Sequence, residues 1–314
     1  MKTFNFKFVK NAPKAFIVSL CIIIATVIVA VVLGVKMDIQ FTGGSMISYS
    51  YSGEIDASKV ENSVGDLLKR SCNVQKKESA TGNSFVITMS GNENLSDEQQ
   101  KELTQMLEKD YAANEPGLLE VNNVSPTIGR EFFLRCLASL VLASVCIIIY
   151  IAIRFRKIGG WLAGMTSVVA LVHDVIMVFA VFVIFRIPLD ANFIAVALTI
   201  LGYSINDTIV IFDRVRENRS YNKKISNREL VDLSMNQTFT RSINASLTTI
   251  MVMVIVTIMA LIFDVNSILT FSFPMIVGML FGVYSTLFFA APLWVMWHES
   301  REKKSSKKTE KVEA

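Results

Sequence analysis

Six long apolar runs interrupt an otherwise polar chain, at residues 15–35, 135–153, 161–185, 191–213, 238–263 and 267–297. At 1.5 Å per residue, about 20 residues span the roughly 30 Å of bilayer hydrocarbon. Each run therefore predicts a membrane-crossing helix. The last is long for one perpendicular span, and Pro274 inside it predicts a kink or a start. The first run is too long for the core of a cleaved signal peptide and reads as a retained anchor. Trp294 and Trp297 stand where an interfacial aromatic belt belongs.

Between the first two runs, residues 36–134 show the shorter periods of a folded domain. Residues 45–52 alternate in the manner of a strand. Asp56 is placed to cap a helix with Val60, Val64, Leu67 and Leu68 on one face. Residues 72–77 and 85–90 suggest two strands around a turn at 80–83. Residues 95–111 read as a helix started by Ser96 or Asn94, with Leu103, Met106, Leu107 and Tyr111 inward, and 118–124 as a last strand. The order β-α-β-β-α-β is that of a ferredoxin-like α+β domain. The fold class is thus a polytopic α-helical membrane protein with six transmembrane helices and one such domain.

Composition agrees with this. Of the 314 residues 52% are hydrophobic and 18% charged, against about 25% charged in soluble chains. The position of the charges orients the chain. Lysine and arginine gather in the N-terminal 1–14, at Arg154, Arg156 and Lys157, through the 214–237 connection and in the 298–314 tail; the opposite short connections offer Arg186 and nothing else. Both termini and these basic loops are expected in the cytoplasm, and 36–134 outside. That segment holds fifteen acidic and nine basic residues, a net charge of −6, which excludes a nucleic-acid binder. Three of the four cysteines lie in apolar runs and there are two histidines, so neither a disulfide framework nor a histidine metal site is expected. With no nucleotide-binding loop and no nucleophile–base pair outside the membrane, an enzyme is not expected and energy must come from a partner or an ion gradient.

Charged residues inside a span are costly and usually face the bundle interior. His173 and Asp174 fall mid-way along the third run, and Asn206 and Asp207 in the fourth. Asp213 and Arg214 end the fourth, and Arg241 opens the fifth ahead of Ser242, Asn244, Ser246, Thr248 and Thr249. Two readings stand for Asp207 with Arg241: an ion relay, in which arginine lowers and burial raises the aspartate's proton affinity, or a structural ion pair that sets helix register. His173 and Asp174 serve either an ion pathway or a satisfied interhelical hydrogen bond. Asp213 and Arg214 read as interfacial, and the Ser/Thr face of the fifth run as packing glue.

Several stretches resemble SecF-type members of the SecD/SecF family in the RND superfamily. They are Asp38-Ile39-Gln40-Phe41-Thr42-Gly43-Gly44, with its F-T-G-G signature; Val172-His173-Asp174-Val175; Gly202-Tyr203-Ser204-Ile205-Asn206-Asp207 continuing through Asp213-Arg214; and Thr240-Arg241-Ser242-Ile243-Asn244. The resemblance covers nearly the whole chain. It implies a subunit that works with a separate SecD and the SecYEG channel, with a YidC-like insertase as a further contact. Such a subunit promotes late steps of preprotein export across the bacterial cytoplasmic membrane, and its outside domain meets the unfolded chain. The family uses the proton or sodium motive force; no cofactor beyond the transported ion is implied. Its fourth-helix aspartate falls on Asp207 and its fifth-helix arginine on Arg241. Competing readings are half of a small-molecule exporter, or a scaffold without an ion pathway. One departure is Val124-Ser125-Pro126 where many members have V-G-P; losing that glycine is expected to alter the hinge below the domain.

Overall fold

The computed structural model describes residues 6–70, 72–79, 82–90, 95–263 and 265–301. The chain opens with α1 (Phe8–Leu33). This helix starts seven residues before the apolar run, with Pro13 inside it. It buries only a narrow stripe that includes Ala12, Ala15, Ser19 and Thr26. A single helical turn, α2 (Ile39–Thr42), follows, capped by the Asp38 carboxylate on the Gln40 amide at 2.9 Å.

The α+β domain comes next: β1 (Gly44–Tyr51), α3 (Ala57–Leu68), β2 (Asn73–Ser79), β3 (Gly82–Ser90), α4 (Asp97–Asp110) and β4 (Gly117–Val124). The sheet order is β2-β3-β1-β4, antiparallel throughout. The central strand β1 has its inward set fixed by alternation. Ile47 lies opposite both Ile87 and Val121, and Tyr49 stacks on Phe85. Val60 and Val64 from α3 and Leu103 and Leu107 from α4 close the core. Each such side chain contributes about 1.5–3 kcal/mol on full burial. Asp56 caps α3, and Ser96 with Gln99 forms a capping box on α4. The expected ferredoxin-like order is therefore present; the turn expected at 80–83 lies partly outside the described residues.

Five further long helices complete the bundle: α5 (Pro126–Arg154), α6 (Gly160–Ile184), α7 (Ala191–Tyr221), α8 (Asn227–Ile262) and α9 (Asn266–Ser285). The last continues through a π-helical turn (Thr286–Ala290) to Arg301. Among the described residues six helices are long and apolar enough to cross a membrane. α6, α7 and α9 form the centre, and α1, α5 and α8 the rim. The rim presents large aliphatic side chains outward; Val31 is 78% exposed and Leu142 65%. A surface of that kind suits hydrocarbon or the apolar helices of a membrane partner.

Several boundaries differ from the sequence reading. The domain ends at Val124, and α5 starts at Pro126, a residue pre-shaped for a first helical turn. The stretch 214–237, expected as a loop, is almost all helix. α7 runs on to Tyr221, held by i,i+3 pairs from Arg216 to Asp213 and from Arg214 to Glu217. α8 begins at Asn227 under a Ser226–Glu229 capping box. Charge ended the apolar pattern there, but nothing ended the helical hydrogen bonding. Pro274 neither starts nor ends α9; it lies within the helix.

Candidate functional site

Two polar centres lie inside the bundle. The first surrounds Asp174 on α6, which is 0% exposed. Its Oδ2 accepts from Ser204 of α7 at 2.7 Å and from Ser285 of α9 at 2.8 Å. Its Oδ1 faces His173 Nδ1 at 3.1 Å. The other imidazole nitrogen, Nε2, lies 2.9 Å from Ser19 Oγ on α1. The Ser19 hydroxyl also reaches Tyr284 OH at 3.2 Å, and Tyr284 donates to the Ala15 carbonyl at 2.6 Å. The π-helical turn begins just after Ser285 and carries Phe289, whose ring stacks on His173 at 4.3 Å. Such turns are frequent at functional sites. Three helices thus meet on one carboxylate, and α1 joins them through His173.

The second centre is Asp207 on α7, 6% exposed. Ser246 of α8 reaches its Oδ2 at 3.4 Å. One turn along α8, the buried Ser242 hydroxyl has no hydrogen-bond partner among the described residues. Arg241 is exposed, near enough to act on Asp207 through space. Among the described residues no ion pair joins the two. The closed Asp207–Arg241 pair considered from sequence is open in this structure.

Other sequence candidates fall elsewhere. Asn206 is exposed, because one residue along a helix turns the side chain by about 100°. With Gly202 it lines a groove of about 430 Å³ between α5 and α7, shared with Cys146 and Tyr150. It is not brought to the Asp207 centre. Asp213 sits at the polar end of the helix between Arg154 (3.1 Å) and Arg216 (2.6 Å). Arg214 bonds Glu217 and Gln237. These are exposed surface pairs, of small energetic weight.

The F-T-G-G stretch is a joint. Phe41 is buried against Phe132 and Phe133 of α5 at ring distances of 5.7 and 5.3 Å. The Thr42 hydroxyl turns back to the Asp38 and Gly43 carbonyls. Gly43 has φ +78° and ψ 164°, and a Cβ there would stand 2.6 Å from Pro126 N. Gly44 opens β1, opposite both Ser90 and Val124. Ser125 has φ −62° and ψ 135°, extended backbone that any residue adopts. This backbone position needs no glycine; the unusual backbone of the joint is at Gly43 and the close approach to α2 at Gly129.

The sequence does not mark Ser204, Ser285 and Ser246 as partners of the buried acids, nor Ser19 and Tyr284 as the groups beyond His173. Ser204 has a faint signal, lying three residues before Asp207 on the same face. A lone serine in an apolar run carries no mark of which neighbour it faces.

A six-helix membrane bundle that encloses two carboxylates, with a ferredoxin-like domain on one end, defines a polytopic membrane protein with buried acids at its centre. The family model described as "Protein export membrane protein SecD/SecF, C-terminal" matches residues 103–300. The chain is 35% identical over 294 residues to the protein translocase subunit SecDF of Bacillus subtilis, covering 93% of this chain and 38% of that protein. It is 32% identical to the SecF subunit of Sebaldella termitidis, covering 92% of this chain and 91% of that one. The crystal structure of SecDF from Thermus thermophilus, described as a translocon-associated membrane protein, superposes with a TM-score of 0.79 at 26% identity, over 94% of this chain and 39% of that one. The chain belongs to the SecD/SecF family of protein export membrane proteins.

Proposed function

We propose that this chain is the SecF-type subunit of an ion-driven protein-export complex. It pairs with a SecD partner, works beside the SecYEG channel with a YidC-like insertase as a further neighbour, and helps draw unfolded preproteins outward. Support for SecD comes from relatives named SecDF, in which the matched region is under half of one longer chain. Support for the orientation, with termini in the cytoplasm and the acidic domain outside, comes from the basic residues at the bundle end opposite that domain. The relatives are translocase subunits, in keeping with transport rather than catalysis.

One observation carries the ion-driven part. Asp174 and Asp207 are both buried, and hydroxyls plus one imidazole are their hydrogen-bond partners. An ionised carboxylate so placed costs several kcal/mol unless its charge is met. Uptake of a proton or sodium ion meets it, and one turn from Ser246 the buried Ser242 hydroxyl stands unpartnered among the described residues. Release then restores the cost, and that difference is what a motor converts into helix movement.

The test is preprotein export into inverted vesicles carrying SecD with the wild-type chain, Asp207→Asn or Asp174→Asn, after equal assembly is confirmed. The expected result is loss of the gradient-dependent part of export, with the remainder kept. Wild-type export from both variants with the gradient applied overturns the ion-driven reading and leaves a scaffold.

A further inference from the structure

The Ser19 hydroxyl stands between an imidazole and a phenol, and its one hydrogen can serve only one of them. The Ala15 carbonyl is an acceptor alone, so it takes the hydrogen of Tyr284. The Tyr284 oxygen then accepts from Ser19, and Ser19 Oγ accepts from His173 Nε2–H. An imidazole that donates from Nε2 toward an acid on Nδ1 needs one more proton in the pair. Either Asp174 is a carboxylic acid beside neutral His173, or a carboxylate beside imidazolium. The hydrogen bonds then run one way: His173 to Ser19, Ser19 to Tyr284, Tyr284 to Ala15.

Removing that single proton reverses the chain. The carboxylate takes the remaining imidazole hydrogen on Nδ1, Nε2 becomes an acceptor, and Ser19 must turn its hydrogen toward it. Tyr284 loses its donor. From the imidazolium form the Nε2–H bond alone breaks; from the acid form the carboxylic proton moves to Nδ1 as the Nε2 proton leaves, and in both the one proton lost passes to water. The groups facing the pair are Ser19 of α1, Ser204 of α7, and Ser285, Phe289 and, through Ser19, Tyr284 of α9. Tyr284 is the further titratable side chain in this set.

We propose that Ser19 and Tyr284 are positioning residues that sense the protonation state of the Asp174–His173 pair and transmit it to α1. The proposal rests on the reading of that pair as proton-exchanging. α1 is a suited receiver. It is a rim helix attached by a narrow buried stripe. Its Ala15 carbonyl, the Tyr284 acceptor, is also the one Ser19's own amide bonds in the helical ladder. Its far end leads through α2 into the ferredoxin-like domain, where Arg186 holds the Leu33 and Gly34 carbonyls at 2.9 and 2.5 Å. A change at Ser19 therefore acts on the helix that carries the domain.

Infrared difference spectra between two pH values, on the complex with SecD in lipid vesicles, test this. The expected spectrum holds a band of the pair, carboxylic C=O or imidazolium ring, lost in Asp174→Asn, and a tyrosine C–O band lost in Tyr284→Phe. In Ser19→Ala the pair band stays and the tyrosine band disappears; Ser19→Thr, which keeps the hydroxyl, restores it. Gradient-driven export should fall about tenfold in Ser19→Ala, the scale of one lost hydrogen bond to a charged group, and recover in Ser19→Thr. A tyrosine band that survives Ser19→Ala, or a pair band unchanged by Asp174→Asn, overturns the proposal. So does gradient-driven export unchanged in Ser19→Ala, which leaves the ion-driven reading standing; that reading fails instead if Asp207→Asn and Asp174→Asn both export as the wild type does.

Discussion

Gly43 is the position where the domain and the bundle meet most tightly, and replacing it with alanine gives a sharp test of the joint. Two costs add there. Its backbone, at φ +78° and ψ 164°, lies in a region essentially reserved for glycine, worth about 1–3 kcal/mol for other residues. A Cβ would also stand 2.6 Å from Pro126 N and 2.8 Å from Pro126 Cγ. That neighbour is backbone and a closed ring, so it cannot rotate away; overpacking of this kind costs about 1–3 kcal/mol more. Gly34 is the control, with φ +68° and ψ 164° but nothing within 4 Å of its Cβ position. Gly34→Ala isolates the backbone term. The readout is amide hydrogen exchange in peptides covering 38–44 and 125–133, where the Gly43 amide bonds the Ile39 carbonyl at 2.8 Å. Gly43→Ala should accelerate exchange by roughly 30-fold or more, the equivalent of about 2 kcal/mol. Gly34→Ala should accelerate exchange around its own site by the backbone term alone, and leave the 125–133 peptide unchanged. Equal effects of the two variants on 125–133 would refute the claim that contact with Pro126 governs the joint.

Two other outcomes follow from caps. Asp232 of α8 accepts from the Val9 amide at 3.0 Å, capping α1 from another helix where Lys7 offers no side-chain cap. Asp232→Ala should cost about 0.5–2 kcal/mol, read as faster proteolysis near residues 6–10, while Asp232→Asn should keep most of the protection. Asp38 and Asp190 cap α2 and α7, and burial pushes both carboxyls above the ordinary aspartate range. A raised folded value means their stabilising contribution is full in acid, below the unfolded value, and is lost as pH rises through the folded one. Changing both to asparagine, an equally good cap, should flatten the thermal stability curve just above about pH 4 without loss at neutral pH. A double variant that keeps the wild-type slope counts against this assignment.

The legible part of this protein lay in periodicities and in charge. A span announces itself because hydrocarbon admits no unpaired backbone and little charge, so six apolar runs read out six helices, though several helices run on into polar sequence beyond them. Asp56 and Ser96 read as caps because capping is a local act. The first strand read from alternation and the middle two from short runs around a turn, and the β-α-β-β-α-β succession pointed to the ferredoxin-like class. Buried charge marked Asp174 and Asp207 as residues that need a reason to be where they are. The end of α7 was misplaced because apolar content fades at Asp213, while the helix continues on arginine–acid pairs to Tyr221.

What tertiary structure alone decided is which polar groups meet. Asn206 and Asp207 are neighbours in sequence, yet one faces the α5–α7 groove and the other the interior. Ser19 and Tyr284 are separated by 265 residues and still share a hydrogen bond. A helix fixes only the angle between its own side chains; which neighbour each one faces depends on the rotation and crossing of separate helices. The sequence by itself determined the membrane fold, the domain outside the bundle and the buried acids. The partners of those acids, and the opening between Asp207 and Arg241, exist only once six helices are packed together.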